Sequence, residues 1–192
     1  MSKTQHTSKN IRTTRWRKIS SHKIYSCQYL DLFKDKVINQ LGKKVNYYYI
    51  RKKPFIAIIP RDIKGNIYFV RQYRYTLKRY TWEIPMGRKE DKESYLAAAK
   101  RELAEEACLN AKKWTKIGTE FVTPTAYPQH FWIYLAEDMS PINKKPDPAE
   151  IDKVQKFTSA EIEKMILKNQ ILGASILASL YKYDLYKKSL PR

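Results

Sequence analysis

The sequence predicts an α+β fold, and three observations support this class. Short apolar segments typical of strands lie on both sides of one long amphipathic helix. The strand and helix patterns do not alternate regularly, which argues against a doubly wound parallel sheet. The chain has 192 residues, of which 43% are hydrophobic and 13% aromatic, so it is long enough for one ordinary domain and too apolar for a disordered chain.

The composition divides the chain into three regions. Residues 1–14 are rich in Ser, Thr and Lys without periodicity, and we expect a flexible basic tail there. Residues 15–44 are expected to form an N-terminal strand region, and residues 45–192 the main domain. Because no acidic residue precedes Asp31, the basic start also resembles an organelle transit peptide. This is the minority alternative to a cytoplasmic protein.

The strands of the main domain are predicted from apolar runs and one turn. The runs are Val45–Ile50, Phe55–Ile59, Ile67–Tyr75 and Phe131–Ala136. The turn signal Lys64-Gly65-Asn66 predicts a hairpin between Ile59 and Ile67.

Three helices are predicted. Leu96, Leu103 and several alanines alternate with charges in an amphipathic pattern, which predicts a helix over Glu93–Ala107. A capping box, Thr158 to Glu161, opens a helix through about Leu167. A polar loop from Pro141 to Pro148 precedes this capping box, and the last helix begins near Ala174.

The residue counts exclude several classes of protein and suggest an anionic partner. Two cysteines, Cys27 and Cys108, are too few for a disulfide framework or a zinc site built on CxxC pairs. No apolar run approaches the roughly 20 residues that span a bilayer. The formal net charge of +19 fits a nucleic acid, a membrane surface or a small phosphorylated substrate, and we do not expect a membrane among the partners.

The acidic residues are concentrated where the chemistry is expected. Glu102, Glu105 and Glu106 are spaced i, i+3 and i+4, which places them on one face of the predicted helix. Three crowded carboxylates repel one another, and a hard cation such as Mg²⁺ or Mn²⁺ relieves this repulsion because it prefers oxygen ligands. Glu93 and Arg101 are two turns apart and are expected to form a bracing ion pair.

The spacing around these residues resembles the Nudix box, G-x5-E-x7-R-E-U-x-E-E-x-G-U, where U is aliphatic. It runs from Gly87 through Glu93 to the segment from Arg101 to Leu109. Every defining position matches except the second glycine, which is Cys108 here, a residue that does not easily adopt positive φ. The resemblance implies a Nudix fold, with a mixed sheet sandwiched between helices and an N-terminal antiparallel strand region.

The resemblance also implies residue roles. Glu102, Glu105, Glu106 and the carbonyl of Met86 would bind the divalent metal, and Glu93 and Arg101 would support them. The reaction would be metal-assisted attack of water on the phosphorus of a nucleoside diphosphate linked to another group.

The flanking residues are similar to those of the ADP-ribose pyrophosphatase branch of the family, whose product pair would be AMP and ribose 5-phosphate. The similar segments are Arg71-Gln72-Tyr73-Arg74 and Trp82-Glu83-Ile84-Pro85. Arg71 and Arg74 are candidates to bind the phosphates, Trp82 to stack on the nucleoside and Glu83 to hydrogen-bond it. Glu150, in the loop before the penultimate strand, is the candidate catalytic base, with Asp147 nearby.

Two alternatives remain open from the sequence. The net charge and the acid-free start also fit a Nudix hydrolase that acts on RNA 5′ ends, although nucleic acid is not the favoured partner. The third possibility is a non-catalytic module that senses a nucleotide. By resemblance alone, the N-terminal strands are expected to build a homodimer.

Overall fold

The computed structural model describes residues 15–191, which form two compact units, 15–52 and 53–191. The predictions of a flexible tail and a transit peptide concern residues 1–14 and therefore lie outside the described residues. None of the helices within 15–191 is both long enough and apolar enough to cross a membrane.

The first unit is a three-stranded antiparallel sheet, as expected. Its strands are β1 (Arg17–Ser26), β2 (Asp31–Ile38) and β3 (Lys44–Arg51), in the order β1-β2-β3. The Asn39 side chain accepts hydrogen bonds from the backbone N–H groups of Leu41 and Lys43, and so shapes the turn before β3. The sequence analysis assigned residues 45–50 to the main domain, whereas the structure pairs the whole of β3 with β2.

The second unit contains two sheets and three helices. In chain order its elements are β4 (Phe55–Pro60), β5 (Ile67–Arg74), β6 (Arg79–Glu83), β7 (Met86–Arg88), α1 (Tyr95–Glu106), β8 (Leu109–Thr123), β9 (Tyr127–Pro141), β10 (Ile151–Phe157), α2 (Ser159–Leu167) and α3 (Ala174–Ser189). The four-stranded sheet has the order β7-β4-β9-β8, and the three-stranded sheet has the order β10-β5-β6. The larger sheet is mixed because β4 runs parallel to β9 while its other pairs are antiparallel.

Alternating side chains of β4 pack against helices on both faces of the larger sheet. Ile56 and Ile58 pack in a cluster with Leu103 of α1, whereas Ala57 and Ile59 belong to the cluster that contains α2 and α3 residues. Full burial of an Ile side chain contributes about 1.5–3 kcal/mol, so this strand stabilises both layers. The predicted mixed sheet between helices is confirmed.

The predicted hairpin between Ile59 and Ile67 is wrong, although its turn is present. Asp62 accepts hydrogen bonds from the backbone N–H groups of Lys64 and Asn66, and Gly65 has a φ of +87°. Only one bridge, Arg61 to Ile67, joins the two strand ends. The reason is that β4 is already paired on both sides, by β7 and β9, so β5 continues into the other sheet.

Several element boundaries also differ from the sequence analysis. The helix predicted from Glu93 begins at Tyr95, since Ser94 caps its N-terminus, and the strand predicted to Tyr75 ends at Arg74. The strand predicted as Phe131–Ala136 is the centre of the longer β9. Strands β6, β7, β8 and β10 were not predicted; β8 is rich in Lys because it lies at the edge of its sheet.

Candidate active site

The helix α1 carries the predicted carboxylates and begins and ends with defined contacts. Ser94 accepts a hydrogen bond from the N–H of Ala97, 3.1 Å away, which satisfies one of the free amides of the first turn. After the helix, Cys108 adopts a φ of +53°, so the turn that a glycine would make is kept despite the side chain. The Cys108 carbonyl accepts a hydrogen bond from the N–H of Ile142 at 2.9 Å.

Glu106 is buried between two strands that belong to different sheets. Its Oε2 accepts from the N–H of Met86 at 2.9 Å, and its Oε1 accepts from Nε2 of Gln72 at 3.1 Å. Burial raises the pKa of Glu106 to about 8, against the lowering effect of the Met86 hydrogen bond. The backbone at Met86, the predicted source of a carbonyl ligand, is therefore directly beside this carboxylate.

The carboxylate of Glu102 lies against the backbone of Gly87. A Cβ atom at position 87 would stand 1.9 Å from Cδ of Glu102 and about as close to both of its oxygens. The first glycine of the box is thus required by space, since any side chain there would displace this carboxylate. Burial also raises the pKa of Glu102, with the nearby Arg101 acting in the opposite direction.

Arg101 connects the acidic residues of the box. Its Nη2 is 2.9 Å from Oε1 of Glu93, which confirms the predicted ion pair. Its Nη1 is 2.7 Å from Glu102 and 3.0 Å from Glu105, and its Nη2 also donates to the carbonyl of Arg88. The crowding of the carboxylates is therefore partly relieved by a guanidinium, which the sequence analysis attributed to a metal ion alone.

A cavity of about 350 Å³ brings the box together with the loop after β9. Its acidic lining consists of Glu102, Glu105, Glu106, Asp147 and Glu150, and Lys144 and Lys145 line it too. The backbone carbonyl of Asp147 accepts from the N–H groups of Glu150 and Ile151, and its side chain accepts from the N–H of Ala149 at 2.8 Å. These bonds fold the loop into a turn that holds Glu150 at the cavity.

Arg74 and Glu83, two of the four predicted substrate-binding residues, lie on the face of the three-stranded sheet that is directed toward Glu106. Arg74 donates two hydrogen bonds to Glu83, at 2.6 and 2.5 Å, and Thr81 donates to the same carboxylate at 2.6 Å. Gln72 precedes Arg74 by two residues in β5, so it shares this face. The hydrogen bonds that Arg74 donates to Glu83 raise the pKa of Arg74, and the charges of Glu106 and Glu150 add to this effect.

The other two, Arg71 and Trp82, lie opposite each other on the reverse face of the same strands. Arg71 is paired with Asp152, with Nε 2.5 Å from the carboxylate, and its guanidinium lies over the rings of Tyr80 and Trp82. Trp82 packs edge-to-face on Phe157, with ring centroids 4.9 Å apart. The structure therefore separates these two residues from the cavity that holds the carboxylates.

The sequence analysis did not identify three residues that contact or line this site. Gln72 was read only as part of a motif, although the period-2 alternation of a strand already places it on the face of Arg74. Lys144 and Lys145 lie in a Pro-containing loop that has no periodic pattern. Only the tertiary fold brings that loop to the end of α1.

A model of the NUDIX domain matches residues 51–179, which is most of the second unit and contains the whole site described above. The chain belongs to the Nudix family. The matched range includes both the box and the loop with Glu150.

Two relatives of this Nudix hydrolase are named ADP-ribose pyrophosphatase. The one from Bacillus subtilis (strain 168) is 29% identical over 81% of this chain and 85% of its own length. The one from Mycobacterium tuberculosis (strain ATCC 25618 / H37Rv) is 28% identical over 84% of this chain and 80% of its own length. A crystal structure of an ADP compounds hydrolase matches with a TM-score of 0.79 at 17% identity, covering 91% of this chain and 95% of that one, and shows the same fold.

The donor set of the Nudix site fits a hard divalent cation by its chemistry. All the side-chain donors are carboxylate oxygens, the ligands that Mg²⁺ and Mn²⁺ prefer. Within residues 15–191, no three His, Cys, Asp or Glu side chains are already grouped as a metal site. Two of these carboxylates, Glu102 and Glu105, are held by contacts with Arg101.

Proposed function

We propose that this Nudix hydrolase cleaves a nucleoside diphosphate linked to another group, and that its substrate is ADP-ribose, with AMP and ribose 5-phosphate as products. The observation that carries the proposal is the cavity in which the box carboxylates meet Glu150. The names of the two relatives support the choice of ADP-ribose, since each is similar to this chain over at least four-fifths of its own length.

In this proposal the metal ligands are Glu102, Glu105, Glu106 and the carbonyl of Met86, and the ion is Mg²⁺ or Mn²⁺. Nudix proteins typically depend on divalent metal ions. When bound, such an ion neutralises the diphosphate and lowers the pKa of the attacking water. Glu93 acts through Arg101, because their ion pair fixes the guanidinium that orients Glu102 and Glu105.

The chain's own groups would bind the substrate and move one proton. Glu150 accepts a proton from the attacking water, whose oxygen bonds to phosphorus while the bridging P–O bond breaks. Arg74 uses two of its five N–H donors on Glu83 and is 44% exposed, so the remaining donors are free to bind a phosphate. Glu83 positions Arg74; its carboxylate is buried and already accepts three hydrogen bonds, so a bond to the nucleoside would have to compete with these. Arg71 and Trp82 are the weaker candidates because they lie on the reverse face.

The decisive experiment is a panel of nucleotide sugars and other nucleotides with the purified protein and Mg²⁺. We expect AMP from ADP-ribose, and we expect Glu106→Gln and Glu150→Gln to lower turnover strongly with the fold intact by circular dichroism. The matched control is Glu163→Gln, an exposed residue of α2. Unchanged turnover in Glu106→Gln would refute the proposed metal role.

The same panel separates the alternatives. Turnover of another diphosphate without release of AMP from ADP-ribose contradicts the substrate assignment. With 5′-capped RNA added to the panel, release of the cap as the faster reaction supports action on RNA ends. Binding of ADP-ribose without hydrolysis in both Mg²⁺ and Mn²⁺ identifies a nucleotide-sensing module.

A further inference from the structure

The positive charge of this protein is concentrated in its first unit. Residues 15–52 contain ten Lys or Arg against two acidic residues, whereas residues 53–192 contain 25 against 17. Both segments therefore carry a net charge of +8, but the first has fewer than a third as many residues. A general excess of lysine would spread evenly along the chain, so this concentration calls for a local explanation.

The two faces of the first sheet differ in charge. Phe33, Asp35 and Val37 of β2 are buried on one face, and Asp31 shares that face by its position in the strand. Two cations of this face have partners: Lys23 is 3.1 Å from Asp31, and the Arg51 guanidinium lies 4.3 Å from the Phe33 ring. Both acidic residues of the unit thus lie on the buried face.

The opposite face carries cations without acidic partners. Lys34 and Lys36 of β2 are on this face, next to Lys44 at the start of β3. Among the described residues, none of these three lysines forms an ion pair with a carboxylate. Lys34 instead lies over the ring of Tyr48, 5.7 Å from its centroid.

Exposed rings and neutral polar groups lie between these cations. Tyr48 is 51% exposed and Tyr25 is 56% exposed, and His22 lies opposite Lys34 in the register of β1 and β2. Ser20 and Asn46 lie opposite Lys36 from the two neighbouring strands and supply a hydroxyl and an amide. Exposed aromatic rings that alternate with unpaired cations are the combination that binds single-stranded nucleic acid.

We propose that this lysine face, formed by Lys34, Lys36, Lys44, Tyr25, Tyr48 and His22, binds single-stranded RNA. The lysines contact the phosphates, the tyrosines stack on bases, and Ser20 and Asn46 are placed to hydrogen-bond ribose 2′-hydroxyls. An anionic lipid surface would satisfy the lysines and accommodate the rings, but it offers no ribose 2′-hydroxyls to Ser20 and Asn46. The proposal concerns a second binding surface and does not depend on which diphosphate the Nudix site hydrolyses.

The test is fluorescence anisotropy with a labelled 20-nucleotide oligouridine and the full-length protein at several salt concentrations. Binding to about three phosphates predicts a slope of log K against log salt of about −2. The triple variant K34E/K36E/K44E is expected to bind about tenfold more weakly, with a slope close to zero. The matched control, K112E/K153E/K168E, changes the net charge equally at exposed lysines of the second unit and is expected to lose much less.

Two further measurements separate the proposal from simple charge attraction. Tyr48→Phe is expected to keep the affinity and Tyr48→Ala to lose about tenfold, because stacking needs the ring. K34Q/K36Q/K44Q replaces the triple variant if that variant fails to fold. A 20-nucleotide oligodeoxythymidine and phosphatidylserine vesicles are measured in parallel. The proposal is overturned by equal or tighter binding of the DNA, by preferential binding of the vesicles, by equal losses in the face variant and the control, or by the absence of RNA binding at low salt.

Discussion

Gly87 provides the space that the Glu102 carboxylate occupies, and this contact makes a sharp prediction. In Gly87→Ala the new methyl group would stand 1.9 Å from Cδ of Glu102 and would displace the carboxylate rather than the backbone. We expect turnover to fall on the order of 100-fold, as for an ångström-scale misplacement of a catalytic group, with little change in thermal stability. Gly118→Ala is the control, since its nearest neighbour would be Lys182 Cδ at 3.5 Å. Similar turnover in both variants would contradict the role of this space.

Cys108 holds a backbone conformation that costs free energy for any residue with a Cβ atom. A non-glycine residue in the left-handed region costs about 1–3 kcal/mol. We therefore expect Cys108→Gly to raise the melting temperature by about 2–4 °C per kcal/mol recovered. Cys108→Ala keeps the unfavourable φ of +53° and is expected to give no such gain. A gain of equal size in both variants would show that the thiol, and not the backbone, is the source of the strain.

Glu106 links stability to pH in a direction opposite to that of most carboxylates. Its pKa of about 8 lies above the usual value, so between pH 5 and 8 the folded, metal-free protein keeps a proton that the unfolded chain has lost. The contribution of protonated Glu106 to the free energy of unfolding is fully present below about pH 5 and is lost as the pH rises to 8. Denaturant titrations without metal should show this decline, and Glu106→Gln should lack it. The same decline in the variant would assign it to other groups.

The residues of the box could be predicted because the helical period is a local property. The positions i, i+3 and i+4 of a helix share a face whatever surrounds it, so the grouping of Glu102, Glu105 and Glu106 followed from spacing alone. The contact between Gln72 and Glu106 joins residues 34 positions apart and depends on the packing of β5 against α1. Such contacts are set by tertiary structure, and no local pattern reports them.

At the scale of elements, the conformation of the loop that carries Glu150 is set by the turn at Asp147. Asp147→Ala removes the acceptor for the N–H of Ala149, and we expect lower turnover because Glu150 is no longer held at the cavity. Asp147→Asn keeps an oxygen at the same place and should restore most of the activity. Equal losses in both variants would instead indicate that the Asp147 charge itself is needed. Steady-state turnover of both variants with Mg²⁺ is the measurement.

The helices were easier to predict than the strands for a physical reason. The capping box at Thr158 and the start of the last helix at Ala174 are confirmed, since caps and periodic faces are local signals. Strand β8 lies at an edge of its sheet and only its first residue, Leu109, is buried, so no apolar run marks it. Pairing partners such as β4 with β9 lie about 75 residues apart and are invisible to local patterns.

At the scale of the whole molecule, the first unit exposes apolar side chains that suggest a partner surface. Trp16, Ile24 and Tyr29 are each more than half exposed, and Oδ1 of buried Asp35 has no hydrogen-bond partner among the described residues. We therefore propose, as the resemblance implied, a homodimer built through residues 15–52. Light scattering should give twice the chain mass of 22.8 kDa. A monomeric mass at micromolar concentration would contradict the dimer.

The two hydrogen bonds of Glu106 have a mechanical consequence. One carboxylate joins β5 of the smaller sheet to β7 of the larger sheet, so the strand that holds Arg74 and the strand that holds Gly87 are fastened at a single point. A displacement of the Glu106 carboxylate would change its hydrogen bonds to Gln72 in β5 and to Met86 in β7 together. The position of Arg74 relative to helix α1 is therefore coupled to the Glu106 carboxylate, which is one of the proposed metal ligands.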